Sequence, residues 1–425
     1  MARLGEQMFV LSRHAECAAV LRDPRFGHAE PGQAGPFGRA PEFGRAADQA
    51  APEFSRAPEF GRAPEQAGPE FSGAPEFGRA PEQVAPESSR APEQVALDED
   101  GKPVRSFLRM NPPDHTRLRR LVSQAFTRPM VARLLPRIEA VTEELLAAAR
   151  ATGGPVNLIE ALAYPLPVIV ISELLGIPER DRERFVRWSH GLARGLDPEF
   201  LLPEGMHAEL IAAREEFADY VRELADARRR EPGEDLLSAL VGVRDSGDLL
   251  NETELVSTCI LLLIAGHETT VNLIGNGTLA LLRHPDQLAR LRAEPGLVEG
   301  AVEELLRFDS PVQLTLRSAL VDAEIAGTAV PSGSVALLLI GAANRDPEEH
   351  PDPDRLDVTR VAGRHLAFGQ GLHFCLGAPL ARLEARVALT ALTRDPGLAP
   401  AGEPRWKDNL VLRGLGSLPV RLNAG

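Results

Sequence analysis

Residues 365–384 read HLAFGQGLHFCLGAPLARLE and set one cysteine, Cys375, among the glycines Gly369, Gly371 and Gly377. Only glycine takes positive φ without steric cost, so this spacing lets a backbone fold tightly around a sulfur. A helix-forming run, 378–392, follows at once. Its N-terminal N–H groups and positive dipole end are expected to face the cysteine and favour thiolate over thiol. Cys375 has no C-x-x-C partner, which argues against zinc and iron–sulfur clusters. A lone anionic sulfur suits haem iron.

Three other groups of residues have types that a haem enzyme would use. Ala265, Gly266, His267, Glu268, Thr269 and Thr270 fall inside the longest expected helix. Small side chains at Ala265 and Gly266 would let a flat ligand approach it. Thr269 can bond back to a carbonyl and open room for dioxygen, and Glu268 can relay protons. Mid-helix threonines also bond back with no catalytic purpose, and Glu268 could equally be a surface acid. Glu304 and Arg307, three apart, are either a minor surface pair or a buried bidentate clamp, and spacing alone does not decide. His115 and Arg119 share a helix face, and Arg317 and His373 add two more cations; viewed singly each reads more simply as a solvated base.

The elements that must hold these groups are mostly helical. From 112 to about 308 amphipathic segments are expected at 115–126 (with Asp114 as N-cap), 131–151, 158–175, 179–193, 206–230, 235–243, 252–283 and 296–308. Ahead of them lie a strand at 8–11 and a helix at 14–21. Strands are expected at 314–319, 323–325, 335–340, 410–413 and 418–422. The fold class is mainly α with a minor β-sheet region, in one large domain.

Residues 29–97 interrupt this pattern. Residues 41–57, 58–74 and 75–91 are three copies of a 17-residue unit rich in Pro-Glu, and a partial fourth begins at Pro92. Apolar residues are too few for a core-facing element, so a disordered loop insertion is expected, either a tolerated duplication or a lid or docking segment. Net charge is −14 and the basic residues form no block, which argues against nucleic acid. Three cysteines at unrelated spacings suggest no disulfide framework, and the start of the chain shows no signal pattern. The longest apolar run, around 260–265, falls far short of the roughly 20 residues of a membrane span. A cytoplasmic protein is expected.

Together these residues resemble the cytochrome P-450 superfamily, specifically its soluble bacterial monooxygenases. The signature F-G-x-G-x-H-x-C-x-G is matched by Phe368, Gly369, Gly371, His373, Cys375 and Gly377. A-G-x-E-T-T is matched at 265–270, E-x-x-R at Glu304 and Arg307, N-P-P-D-H-T-R-L-R-R at 111–120, and A-N-R-D-P at 343–347. The resemblance covers roughly 8–28 and 108–422. It implies haem b (iron protoporphyrin IX) with Cys375 as metal ligand, cradled by Ala265, Gly266, Phe368, Gly369 and Gly377. His115, Arg119, Arg317 and His373 would hold the propionates, and Glu268 and Thr269 would be the catalytic proton carriers. Glu304 and Arg307 would clamp the fold, with Arg355 or Arg360 as third member.

The implied activity is hydroxylation or epoxidation of a small organic substrate, a polyketide or other secondary metabolite, using O2. Electrons would come from a separate ferredoxin and ferredoxin reductase, docking where Arg117, Arg120, Arg382 and Arg386 present positive charge. Other readings are an oxidative-coupling or peroxide-driven haem enzyme and a truncated, non-catalytic haem protein. Relatives carry a helix and a strand before the segment that here begins near Met8. The domain is therefore expected to be N-terminally short, its true start upstream and a sheet edge left uncovered.

Overall fold

The computed structural model describes residues 1–4, 7–29, 106–193, 206–245, 248–361 and 363–423. Apart from Ala29, the insertion expected at 29–97, with its repeats, lies outside the described residues. Two elements organise the remainder. Helix Glu252–Arg283 runs through the centre of the helical part, and a five-stranded sheet builds a second core with helix His14–Arg22.

The central helix starts at a capping box. Asn251 accepts the Glu254 N–H at 2.8 Å, and the Glu254 carboxylate accepts the Asn251 N–H at 2.9 Å, so two orphan donors are satisfied reciprocally. By length and composition this helix could cross a membrane, yet 67% of its most apolar window is buried inside the protein. Helices Pro165–Leu174, Met206–Arg230, Val298–Phe308 and Ala378–Arg394 surround it. A helix buried on most sides is what the core of a large domain requires.

In the sheet, Val335–Leu339 pairs in parallel with Met8–Leu11 and antiparallel with Leu314–Ala319. Phe26–Gly27 continues it beyond Leu314–Ala319. Ala2–Leu4 pairs antiparallel with Met8–Leu11, covering the edge that the sequence suggested would be bare. Three exposed residues without an apolar alternation gave no strand signal there.

The expected helices form, with local differences at prolines. Segment 158–175 is a π-turn, Ile159–Ala163, followed by a helix that restarts at Pro165, where the missing N–H costs least. Segment 131–151 divides into Arg128–Arg133 and Leu135–Ala151. Helix Pro285–Ala293, not anticipated, sits between His284 and Glu294. Asp114 does not cap its helix; it is the first helical residue, after Pro113. Residues 410–413 form no strand, only a bridge from Leu412 to Val312. The terminal strands are Leu415–Ser417 and Pro419–Arg421.

Candidate functional site

The loop around Cys375 is fixed by its own backbone and by the N-terminal helix. The Cys375 N–H donates to Phe368 O at 2.9 Å. Gly369 and Gly371 have φ of 65° and 67°, which a side chain would resist. At Gly371 a Cβ would also come within 2.4 Å of Leu21 O, so helix His14–Arg22 leaves room only for glycine. Gly377 differs from expectation. Its φ is −78°, and its value is to bring its N–H, with that of Ala378, to the sulfur.

The electrostatic expectation for the thiol needs correcting. Burial raises the pKa of Cys375, and the N–H groups of Gly377 and Ala378, with Arg119 and Arg382, oppose this without cancelling it. In the metal-free protein burial thus favours the thiol, and metal binding would release its proton. Cys17 and Cys259 are buried thiols pushed up to about 12, at Cys259 by burial alone.

Beside the sulfur the four expected cations converge with a fifth residue. His115 and His373 rings lie 4.2 Å apart, and His28 meets His373 edge-on at 4.9 Å. Arg119 donates to Phe374 O at 2.5 Å. Arg317 is buried, and its pKa falls to about 10 through burial. Burial and then Arg317 push His373 down to about 3. Among the described residues no carboxylate pairs with any of the five. Both ring nitrogens of His115 and Nε2 of His28 are buried without a partner. Buried polar atoms left unmatched in this way mark a place built for a ligand, and two guanidiniums among them call for an anionic one. A haem with its two propionates fits this donor set. His28 escaped the sequence reading because it lies outside any motif; only the sheet brings Phe26–Gly27 alongside Ala319 and Ser318.

The central helix meets the same requirement from another side. Ala265 is exposed and Thr269 half-buried, while His267, Glu268 and Thr270 around them are buried. The helix thus opens one small-residue stretch to free space. A Cβ on Gly266 would meet Ile171 at 3.5 Å, so of the two small residues Ala265, not Gly266, lines that opening. Thr269 Oγ1 donates to Ala265 O at 3.0 Å. Glu268 is no surface acid: it is 4% exposed and accepts from Lys407 Nζ at 2.5 Å.

Behind the loop, Glu304 and Arg307 are buried and bidentate at 2.7 and 2.9 Å. Arg360 is the third member, and Arg307 further holds the carbonyls of Asn344 and Pro353. Asn344 accepts the Leu366 N–H at 2.6 Å, so the A-N-R-D-P motif ties the clamp to the cysteine loop. The docking cations expected at 117, 382 and 386 are spoken for. Arg117 pairs with Asp248 and Glu254, Arg382 with Glu303, and Arg386 with Glu299.

A mainly helical fold with a thiol loop beside an unmatched cation cluster defines a haem-thiolate protein. The family model for cytochrome P-450 matches residues 83–395. The chain is 47% identical to the cytochrome P-450 monooxygenase PikC of Streptomyces venezuelae, over 75% of this chain and 76% of that one. It is 48% identical to 6-deoxyerythronolide B hydroxylase of Saccharopolyspora erythraea, over 74% and 77%. Among solved structures it resembles P-450BioI in complex with an acyl carrier protein carrying hexadec-9Z-enoic acid (TM-score 0.77, 35% identity, 97% and 92% covered). The bacillaene polyketide synthase P-450 PksS of Bacillus subtilis superposes with TM-score 0.70 at 43% identity, covering 75% and 81%. The chain belongs to the cytochrome P-450 family. It is a haem-thiolate monooxygenase whose cofactor is haem b.

Proposed function

We propose that this enzyme hydroxylates or epoxidises a macrolactone or related polyketide-derived molecule, and that Cys375 would supply the thiolate that holds the haem. The contiguity of Cys375 with the carboxylate-free cluster of His115, Arg119, Arg317 and His373 supports this assignment of the cofactor residues. Two relatives, named as a 6-deoxyerythronolide B hydroxylase and a polyketide biosynthesis P-450, support the substrate class. When bound, haem b supplies reductive activation of dioxygen, and the thiolate's electron donation favours O–O cleavage.

The protein's own contribution is to bind, orient and move protons. Arg119 and Arg317 neutralise propionates in a buried setting where pairing is obligatory. Phe368 and Gly369 shape the loop over the sulfur, and Ala265 lets a flat group lie against the central helix. Thr269 spends its hydroxyl proton on Ala265 O, which leaves its oxygen lone pairs free to accept. Glu268, buried next to it, carries protons inward. Electrons come from a ferredoxin and its reductase. Three of the four cations first expected to guide docking, Arg117, Arg382 and Arg386, are paired, so contact is assigned instead to the exposed Leu372 and Phe374 on the cysteine loop. We assign the enzyme to the cytoplasm.

Two measurements test this reading. The ferrous–CO complex of the purified protein is expected to show the long-wavelength Soret band of thiolate ligation, and Cys375→Ser to lose it. Titration of the haem-loaded protein with a panel of macrolactones is expected to shift the resting Soret band. Retention of the band in Cys375→Ser would overturn the ligand assignment, and silence across the panel the substrate class.

A further inference from the structure

Glu268, Asn272 and Asn276 stand four residues apart on the central helix, and all three are buried. At 3.6 residues per turn they form one polar stripe in an otherwise apolar helix. The C-terminal hairpin, strands Arg405–Trp406 and Leu415–Ser417, covers that stripe. Lys407 Nζ donates to Glu268 Oε1 at 2.5 Å. A Cβ on Gly414 would fall 1.8 Å from Asn272 Oδ1, so the hairpin backbone sits directly on the asparagine. Asn276 Nδ2 donates to Arg413 O at 3.0 Å.

The hairpin is itself anchored. Lys407 N–H donates to Gly414 O at 3.0 Å. Arg413 stacks on Trp406 at 3.8 Å and donates to Asp309 at 2.8 Å, which ties the hairpin to the end of helix Val298–Phe308. The position of the ammonium is therefore set by backbone, not by a wandering surface side chain. Its identity is also unusual here: of 47 basic residues only Lys102 and Lys407 are lysine. What the position requires is a positive charge within reach of Glu268, and lysine supplies it from a flexible stem. Lys407 is 24% exposed and Glu268 6%, counted on their side chains, so the pair spans from solvent to the buried helix face.

We propose that Lys407 is the positioning residue of Glu268: the C-terminal hairpin holds the buried carboxylate in place and links it to solvent, and proton supply to the reaction passes through this pair. The proposal rests on Glu268 being the proton carrier, and its tests separate the two ideas. Every step is a proton exchange at Glu268 Oε1, with water as the source, so no further reactant is needed.

The first test reads the pair without turnover. Protein labelled with 15N-lysine has two side-chain ammonium groups, and Lys407→Met assigns the second. The Lys407 ammonium is expected as a slowly exchanging resonance that moves or vanishes in Glu268→Gln. An unchanged resonance in that variant would overturn the proposal. The second test uses haem-loaded protein with a surrogate ferredoxin, its reductase and NADPH, following oxygen uptake in H2O and D2O. Glu268→Gln is expected to slow uptake by about 100-fold with an enlarged solvent isotope effect. Lys407→Met is expected to slow it by about 10-fold with the same enlargement, while Lys407→Arg stays within about twofold of wild type. A Glu268→Gln variant with normal uptake and isotope effect sinks the proton-carrier reading, and Lys407's role with it. A defective Glu268→Gln beside a normal Lys407→Met sinks Lys407 alone.

Discussion

Arg360 Nε lies 3.1 Å from Glu304 Oε1, completing a buried clamp. Arg355, the other candidate by sequence, turns its guanidinium to Asp357 at 2.6 Å and gives the clamp only its carbonyl, which accepts from Arg307 and Arg360. Glu304 is 3% exposed, so each donor removed leaves a buried carboxylate oxygen poorer. Arg360→Met is expected to cost about 2 kcal/mol, and Arg355→Met to stay within about 0.5 kcal/mol, because its ion pair is at the surface. Denaturant unfolding of both variants checks this. Equal losses would place Arg355 in the clamp after all.

Arg317 makes a different kind of prediction, because its buried charge opposes folding until an anion arrives. Arg317 is buried and bonds only to Thr315 Oγ1 and Leu316 O among the hydrogen bonds resolved for its side chain. These two neutral acceptors offset its desolvation only in part in the haem-free protein. Arg317→Met is expected to leave the apoprotein as stable as wild type or more so, by about 1 kcal/mol. The same variant should release haem about 10-fold faster, since a charge-assisted bond to a propionate is lost. Urea unfolding of the apoprotein and haem transfer to apomyoglobin measure the two effects. A parallel loss in both would mean that Arg317 merely supports the sheet.

The cysteine loop was legible because its chemistry is local, and the Glu304–Arg307 spacing was visible although only burial made it a clamp. Gly369 and Gly371 have positive φ, Cys375 follows within six residues, and Glu304 and Arg307 are neighbours on one helix turn. Helices could be located from periodicity, and their breaks before Pro165 and at Leu134 fall where a proline enters the first turn of the next helix. The remainder depends on contacts across the chain. Lys407 reaches Glu268 over 139 positions and His28 reaches Asn111 over 83. No spacing rule encodes either. The choice of Arg360 over Arg355 turns on which way a loop directs two similar side chains, and composition is silent on that. The pairing of Arg117, Arg382 and Arg386 likewise follows from the fold, since Asp248, Glu303 and Glu299 lie far off in sequence.

Glu384 also lies in the cysteine-loop signature region, yet its place in the fold gives it a role in stability. It sits on helix Ala378–Arg394, 1% exposed, with Oε2 unpartnered. Burial pushes its carboxyl up to about 8 from an ordinary 4.5, with only the Thr270 hydroxyl pulling the other way. The sign follows from where the proton resides. The folded protein keeps it to about pH 8, whereas the unfolded chain releases it above about 4.5, so folding takes up a proton throughout that window. Stability should therefore fall as pH rises from 5 to 8, by up to about 4 kcal/mol from this group. Glu384→Gln removes the titration and keeps the shape. It is expected to match wild type near pH 5 and to exceed it by about that amount near pH 8. Urea unfolding of both proteins at the two pH values decides it. Parallel pH dependences would show that Glu384 is ionised in the folded protein.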